Sequence, residues 1–206
     1  MASALRRMIP MAAAVVAAGV AVFLWFDRGM GSDSAPTAAP VIVGGPFSMV
    51  SQDGIEVTEK TYAGKVWLMF VGFTYCPDIC PTTLAEMSSW LQALGAEADD
   101  VQGFLVTVDP ERDTVDVLKR YISSFDRRIA ALRPEPEELA KFAQAYRITY
   151  KKVPTGDDDY TMDHTAGVLL FDRSGRFSGT IDLHESKDIA LQKIRRLIAR
   201  PEAAGS

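Results

Sequence analysis

Three observations predict an α/β fold with a mixed central sheet flanked by helices. Apolar, strand-like runs alternate with amphipathic helical stretches along the chain. The pattern closes with a hairpin followed by one helix. Nearly half of the 206 residues are apolar, with ten Phe and three Trp, enough for one packed core without staples.

The elements follow in order. Phe47 to Val50 and Glu56-Val57 flank Asp53-Gly54, a hairpin turn signal. Val66 to Phe73 (VWLMFVGF) is a continuous apolar run, the mark of a strand buried on both faces. Pro81 suits the first turn of a helix, whose inner face is Leu84, Met87, Leu91 and Leu94, and Gly95 ends it. Phe104 to Val108 is the next strand. Asp113 or Thr114 caps a helix running to Phe125, with Val117, Leu118, Tyr121 and Ile122 turned inward. Ile129 to Leu132 reads as a short strand, and Pro136 opens a helix to about Tyr146. Strands follow at Ile148 to Val153 and Val168 to Phe171. A turn over Asp172 to Gly175 leads to a returning strand, Phe177 to Ile181, and a final helix spans Lys187 to Ala199. No regular element is legible between Pro154 and Asp163; its polar residues suggest an inserted hairpin or loop. The closing hairpin and helix are the ending of a thioredoxin-like fold.

The N-terminus adds an appendage. Residues 9–26 (IPMAAAVVAAGVAVFLWF) carry no charge and, as a helix, span about 27 Å, close to a bilayer core. Arg6 and Arg7 precede the run, so the short tail is expected to stay cytoplasmic while the rest crosses. A cleaved signal peptide is the alternative. The run is long for one, and Asp27-Arg28 follows it directly in place of an A-x-A site. The expected organisation is a cytoplasmic tail and transmembrane anchor over 1–28, a flexible linker rich in Gly, Ser, Ala and Pro over 29–43, the folded domain over 44–200, and a tail over 201–206. With no long Arg- and Ser-rich presequence, the expected location is a bacterial inner membrane, single-pass, with the domain in the periplasm. The net charge is −5, and no basic stripe is present, which argues against a nucleic-acid partner.

Cys76 and Cys80, in FTYCPDICPTTL, are the chain's two cysteines. In an oxidising compartment such a pair is a bridge or is actively maintained. An i, i+4 pair can lie one turn apart, close enough for a disulfide or to pinch one metal ion. Pro77 and Pro81 stiffen the loop, and a helix start beyond Cys80 favours thiolate. These features serve redox and metal chemistry alike. A plain structural disulfide closing so small a loop would remove little unfolded-state entropy.

Two thiolates select Cu(I) or zinc. His164, ahead of the strand at Val168, would make an S₂N set suited to Cu(I), and to Cu(II) with a further oxygen. Structural zinc would want a fourth protein ligand, and none is evident, because His184 sits in the distant LHES segment. Read locally, His164 is by default a surface or capping residue, and His184 a solvated one. Asp78 reads as a helix cap, and Asp113 as another. Met69 and Met87 sit at core positions; Met162 is undecided. Topology puts the Cys76–Cys80 loop and the loop beginning at Asp109 on one edge, beyond the carboxyl ends of their strands.

Four motifs in order, GGPFSMVSQDG (44–54), GFTYCPDICPTTL (72–84), VTVDPERDT (106–114) and MDHTAGVLLFD (162–172), resemble the Sco family, copper-binding proteins for assembly of cytochrome c oxidase. The resemblance covers roughly 44 to 198. It implies a thioredoxin-like fold in which Cys76, Cys80 and His164 bind one copper ion. It also implies a partner, cytochrome c oxidase subunit II, to whose dinuclear Cu-A centre such proteins deliver copper, or whose cysteines they reduce. Asp78, Asp109, Arg112 and Asp113 would then be supporting groups around the ligands. Tyr75 stands where many relatives have histidine.

Two functions follow. The first is a membrane-tethered copper metallochaperone that hands its ion to a docked partner by stepwise ligand exchange. The second is an enzyme, a thiol–disulfide oxidoreductase in which one of Cys76 and Cys80 attacks and the other resolves. Another periplasmic copper chaperone or a thiol reductant would serve either. A peroxidase is a weaker third reading: Thr74-Tyr75-Cys76 is one residue short of the T-x-x-C pattern of peroxiredoxins.

Overall fold

The computed structural model describes residues 42–156 and 158–200, together with Val22, Phe23 and Trp25. The chain divides into two compact units, Met1–Val41 and Ile42–Ser206. In the first, Val22, Phe23 and Trp25 are helical and exposed. The rest of the expected membrane span, the linker up to Val41 and the tail over 201–206 lie outside the described residues. Among the described residues no helix is long and apolar enough to cross a membrane.

The second unit is built on a seven-stranded sheet. Its strands are β1 (Ser48–Ser51), β2 (Glu56–Thr58), β3 (Val66–Gly72), β4 (Val101–Thr107), β5 (Ile129–Arg133), β8 (Val168–Phe171) and β9 (Phe177–Ile181), in the order β2-β1-β5-β4-β3-β8-β9. The pairs β3/β4 and β4/β5 are parallel, whereas β1/β2, β1/β5, β3/β8 and β8/β9 are antiparallel. The sheet is therefore mixed, as predicted, and the whole has the thioredoxin-like arrangement. Every residue of β3 is buried, which explains its unbroken apolar run.

Four helices accompany the sheet: α1 (Ile79–Leu94), α2 (Val115–Ile122), α3 (Pro136–Tyr146) and α4 (Lys187–Ile198). On α1 the expected face of Leu84, Met87, Leu91 and Leu94 is buried, and Met69 and Met87 are fully so. Met162 is a core residue too, 8% exposed.

Several boundaries differ from the sequence expectation, and one open choice of cap is decided. Helix α1 opens at Ile79, two residues ahead of Pro81. Proline fits there because the first turn's N–H groups lack intrahelical partners in any case. Cys80 consequently lies inside the helix. The cap of α2 is Thr114, whose hydroxyl accepts from Val117 N at 3.3 Å; Asp113 is not the cap but is engaged in buried bonds described below. The strand expected from Ile148 begins at Tyr150 instead, because Arg147 turns left-handed (φ 57°) and Ile148 N–H bonds Ala143 O at 2.8 Å to finish α3.

The stretch left unread by sequence completes a hairpin. Strand β6 (Tyr150–Pro154) pairs antiparallel with β7 (Tyr160–His164) as a separate two-stranded sheet.

Candidate metal centre

Parallel pairing sets Gly72 beside Thr107, so β3 and β4 end together. Val108 N–H bonds Gly72 O at 3.0 Å and carries the register past the strand ends. The Cys76–Cys80 segment leaves β3 at this edge, and the loop through Asp109 and Asp113 leaves β4 there, as the topology required. Strand β8 runs the other way, with Val168 opposite Phe70, so the chain enters the sheet at the edge where β3 leaves it. His164, four residues earlier at the end of β7, is thereby carried to the cysteines.

Cys80 is fully buried, whereas Cys76 is half-buried, and both are free thiols. The Cys76 sulfur accepts the Cys80 backbone N–H at 3.4 Å. The Cys80 sulfur lies 3.9 Å from His164 Nε2. The opposite ring nitrogen, Nδ1, is 2.9 Å from the Thr165 carbonyl. A carbonyl only accepts, so Nδ1 carries the proton, and a neutral ring leaves the Nε2 lone pair facing Cys80. Phe70 and Phe73 hold the imidazole edge-on, with ring centroids at 6.3 and 5.8 Å.

One ion bound to sulfur at about 2.3 Å and nitrogen at about 2.0 Å would leave those atoms about 3.7 Å apart in trigonal geometry. The Cys80–His164 separation matches this spacing. Among the described residues, no group of three His, Cys, Asp or Glu side chains stands ready-made for a metal. The partly exposed Cys76 is the third soft donor nearby, its sulfur accepting the Cys80 N–H. Two sulfurs and one imidazole are soft donors that suit Cu(I). Burial pushes the Cys80 thiol well above its ordinary range, and its hydrogen bond with Cys76 adds to this. Cys80 is therefore a poor thiolate in this metal-free arrangement.

Gly72 makes room for this sulfur. A methyl group there would come within 2.9 Å of the Phe70 ring, 3.0 Å of Cys80 Sγ and 3.3 Å of a Leu105 methyl.

Two clasps hold the surrounding loops. The fully buried Asp113 carboxylate accepts Thr74 N–H at 3.1 and 3.3 Å and the hydroxyls of Thr74 and Thr107 at 2.5 Å each. It ties the residue two before Cys76 to the end of β4. Burial raises the Asp113 pKa, and the threonine bonds offset only part of that rise.

The second clasp centres on Arg112. Its Nε donates to Asp109 at 2.5 Å, and its Nη1 to Tyr160 O at 2.9 Å. The guanidinium lies over the Tyr160 ring at 3.7 Å and the Tyr75 ring at 4.7 Å. Tyr160 OH returns to Asp109 at 2.9 Å. Arg112 thus joins the residue before Cys76 to the strand that ends in His164.

Of the seven residues singled out by sequence, Cys76, Cys80 and His164 come together, and Asp109, Arg112 and Asp113 brace their loops. Asp78 is exposed at the N-cap position of α1, and its side chain makes no capping bond there. His184 is exposed. Gly72, Thr107 and Tyr160 have no role in the sequence reading, and Thr74 enters it only through the T-x-x-C comparison. A glycine inside an otherwise apolar buried strand was the available signal for the first, since it marks a close approach. The others carry no local signal.

The chain matches the SCO1/SenC family model over residues 35–199. It is 38% identical over 136 residues to the mitochondrial SCO1 homolog 1 of Arabidopsis thaliana, covering 66% of this chain but 41% of that protein. The copper-bound structure of Bradyrhizobium japonicum ScoI is 47% identical, with a TM-score of 0.71 over 75% of this chain and 99% of the other. BsSco, a member of the Sco family of cytochrome c oxidase assembly proteins in which a disulfide switch is identified, is 25% identical, with a TM-score of 0.62 over 79% of this chain and 97% of the other. A family match spanning most of the sequence, agreeing with motifs and fold, establishes that the chain belongs to the SCO1/SenC family.

Proposed function

We propose that this chain is a membrane-anchored copper chaperone. Cys76, Cys80 and His164 hold one copper ion for the Cu-A centre on subunit II of cytochrome c oxidase. The observation that carries this reading is the 3.9 Å approach of His164 Nε2 to the buried Cys80 sulfur, with the Cys76 sulfur on the Cys80 N–H. The copper-bound relative from Bradyrhizobium supports the choice of ion. A two-sulfur, one-nitrogen set leaves an open position at which a partner's sulfur can attack, so the ion passes on by ligand exchange. Asp109, Arg112 and Asp113 keep the loops in register during that exchange, and Asp78 marks the exposed rim beside Cys76. The uncharged run at 9–26 with Arg6 and Arg7 before it supports a single-pass anchor in a bacterial inner membrane, with the domain in the periplasm. Another periplasmic copper chaperone would load the site.

The test is Cu(I) titration of the full chain against a competing chelator, with Cys76→Ser and Cys80→Ser alongside. Tight one-to-one binding lost in both variants is expected. Retention in either variant would remove the S₂N assignment.

A second reading rests on the asymmetry of the thiols and on the disulfide switch of BsSco. The accessible Cys76 would attack a disulfide of subunit II, forming a mixed disulfide and releasing one partner thiolate. The buried Cys80 would then attack the Cys76 sulfur and release the second, its proton passing to the departing sulfur. The Cys76–Cys80 disulfide left behind needs an external thiol reductant. Reduction of subunit II cysteines that survives His164→Ala without copper would favour this enzyme over the chaperone.

A further inference from the structure

The hairpin that carries His164 ends in an irregular pair. In an antiparallel ladder every second facing pair exchanges two backbone bonds, each N–H going to the other residue's carbonyl. Strands β6 and β7 keep one register throughout. Tyr150 faces His164, Lys151 faces Asp163, and past Pro154 the Thr155 N–H still bonds Asp159 O at 2.9 Å. Thr149 and Thr165 form the same kind of pair at the open end. Half of their exchange is regular, with Thr165 N–H donating to Thr149 O at 2.9 Å. The other half is substituted. Thr149 N–H donates to the Thr165 hydroxyl at 2.9 Å, in place of the Thr165 carbonyl. The two threonine hydroxyls lie 3.2 Å apart and bond each other.

The substitution follows from the residue type. A threonine hydroxyl sits close to its own backbone, carries two lone pairs, and competes with carbonyls for nearby N–H groups. Here the hydroxyl wins, and the Thr165 carbonyl is left out of the ladder. That carbonyl instead accepts His164 Nδ1–H at 2.9 Å, on the side of the ring away from Nε2, which lies 3.9 Å from Cys80 Sγ. A regular ladder would hold the carbonyl within the hairpin, pointed at Thr149. Thr149 is exposed and Thr165 half-buried, so neither hydroxyl is needed to satisfy the core. A metal-binding histidine is oriented by the partner of its other ring nitrogen, which gives the substitution a consequence at the centre.

We propose that Thr165 is a positioning residue of the centre. Its hydroxyl takes the ladder's donor, Thr149 N–H, and its carbonyl is thereby released to aim the His164 ring at Cys80. This role rests on the reading of His164 as a copper ligand and adds the residue that sets the ligand's direction.

The test compares the full chain in detergent with two variants. Thr165→Val keeps the branched shape and loses the hydroxyl, and Thr165→Ser restores it. Three quantities are read: the His164 Nδ1–H resonance of the metal-free protein with isotope-labelled histidine, the Cu(I) affinity against a competing chelator, and the thermal midpoint. In Thr165→Val the ladder closes through the carbonyl. The resonance is therefore expected to shift or be lost to exchange, the affinity to fall about tenfold, and the midpoint to stay at the parent value. Thr165→Ser is expected to recover both the resonance and the affinity. An unchanged resonance or an unchanged affinity in Thr165→Val would overturn the proposal. So would a loss that Thr165→Ser fails to restore, or one that comes with a lower midpoint in both variants, as a general structural role requires. A parent that binds no copper would overturn the ligand reading instead, and the resonance alone would then decide whether the hydroxyl releases the carbonyl.

Discussion

His164 Nε2 and Cys80 Sγ stand 3.9 Å apart although 84 residues separate them in the chain. Two structural facts produce the approach. Strand β8 runs antiparallel to β3 and so brings its preceding hairpin to the edge where the cysteine segment departs. The Thr165 carbonyl accepts from His164 Nδ1 at 2.9 Å and so turns Nε2 toward the sulfur. Neither fact is local to a cysteine, so changes well away from the sulfurs should alter the centre.

Gly72→Ala is the sharpest such change. Its new methyl group would lie 2.9 Å from Phe70 and 3.0 Å from Cys80 Sγ, and only movement of the ring or the sulfur relieves this. A loss of about 1–3 kcal/mol in stability is expected from overpacking. Because Cys80 is one of the groups that must move, copper affinity should fall as well. Chemical denaturation and chelator competition on the same variant measure the two.

Asp113→Ala removes the acceptor that joins Thr74 to Thr107. The stranded donors are expected to cost about 3 kcal/mol. The loosened segment should show faster amide exchange from Thr74 to Cys80, with the centres of β3 and β4 still protected. Exchange that rises evenly over the whole domain would argue against a local clasp.

Arg112→Met leaves Asp109, which is 2% exposed, with the Tyr160 hydroxyl as its remaining side-chain donor. Breaking one side of a buried pair costs about 3–5 kcal/mol. Arg112→Lys should recover little of this, because an ammonium cannot reach Asp109 and Tyr160 O at once or stack on Tyr75 and Tyr160. Amide exchange over 160–164 is the direct readout, and protection equal to wild type in either variant would count against the clasp.

The acid response has an identifiable contributor away from the centre. Arg128 donates to both Asp126 carboxylate oxygens, at 2.8 and 2.7 Å, and holds the Asp126 pKa below its ordinary value against the opposing effect of burial. A depressed folded-state pKa adds stability above the unfolded value of about 3.9, and that increment is lost as pH falls through the folded value. Asp126→Asn should therefore be less stable than wild type near neutrality, and the gap should close below about pH 4. Urea midpoints across that range test it.

Much of this was legible in the sequence, for physical reasons. The all-apolar β3 and the three- and four-residue spacing on α1 are direct images of burial, and both were read correctly. The cysteines announced themselves by number and spacing. Strand β6 was legible apart from its start, but β7 was not, because its residues Tyr160–His164 are mostly polar and half-buried, with Met162 the one buried position. Asp113 looked like a cap because it precedes a helix; only the tertiary fold reveals the two threonines that claim its oxygens.

The measurement that bears most directly on the centre is Cu(I) binding by the full chain compared with His164→Ala, together with the sulfur-to-Cu(II) charge-transfer band. Tight one-to-one binding in the parent is expected, with at least a tenfold loss of affinity and a displaced band in the variant, as removal of a ligand requires. Equal affinity and an unmoved band would contradict a copper centre completed by His164, and would leave Cys76 and Cys80 as a redox pair.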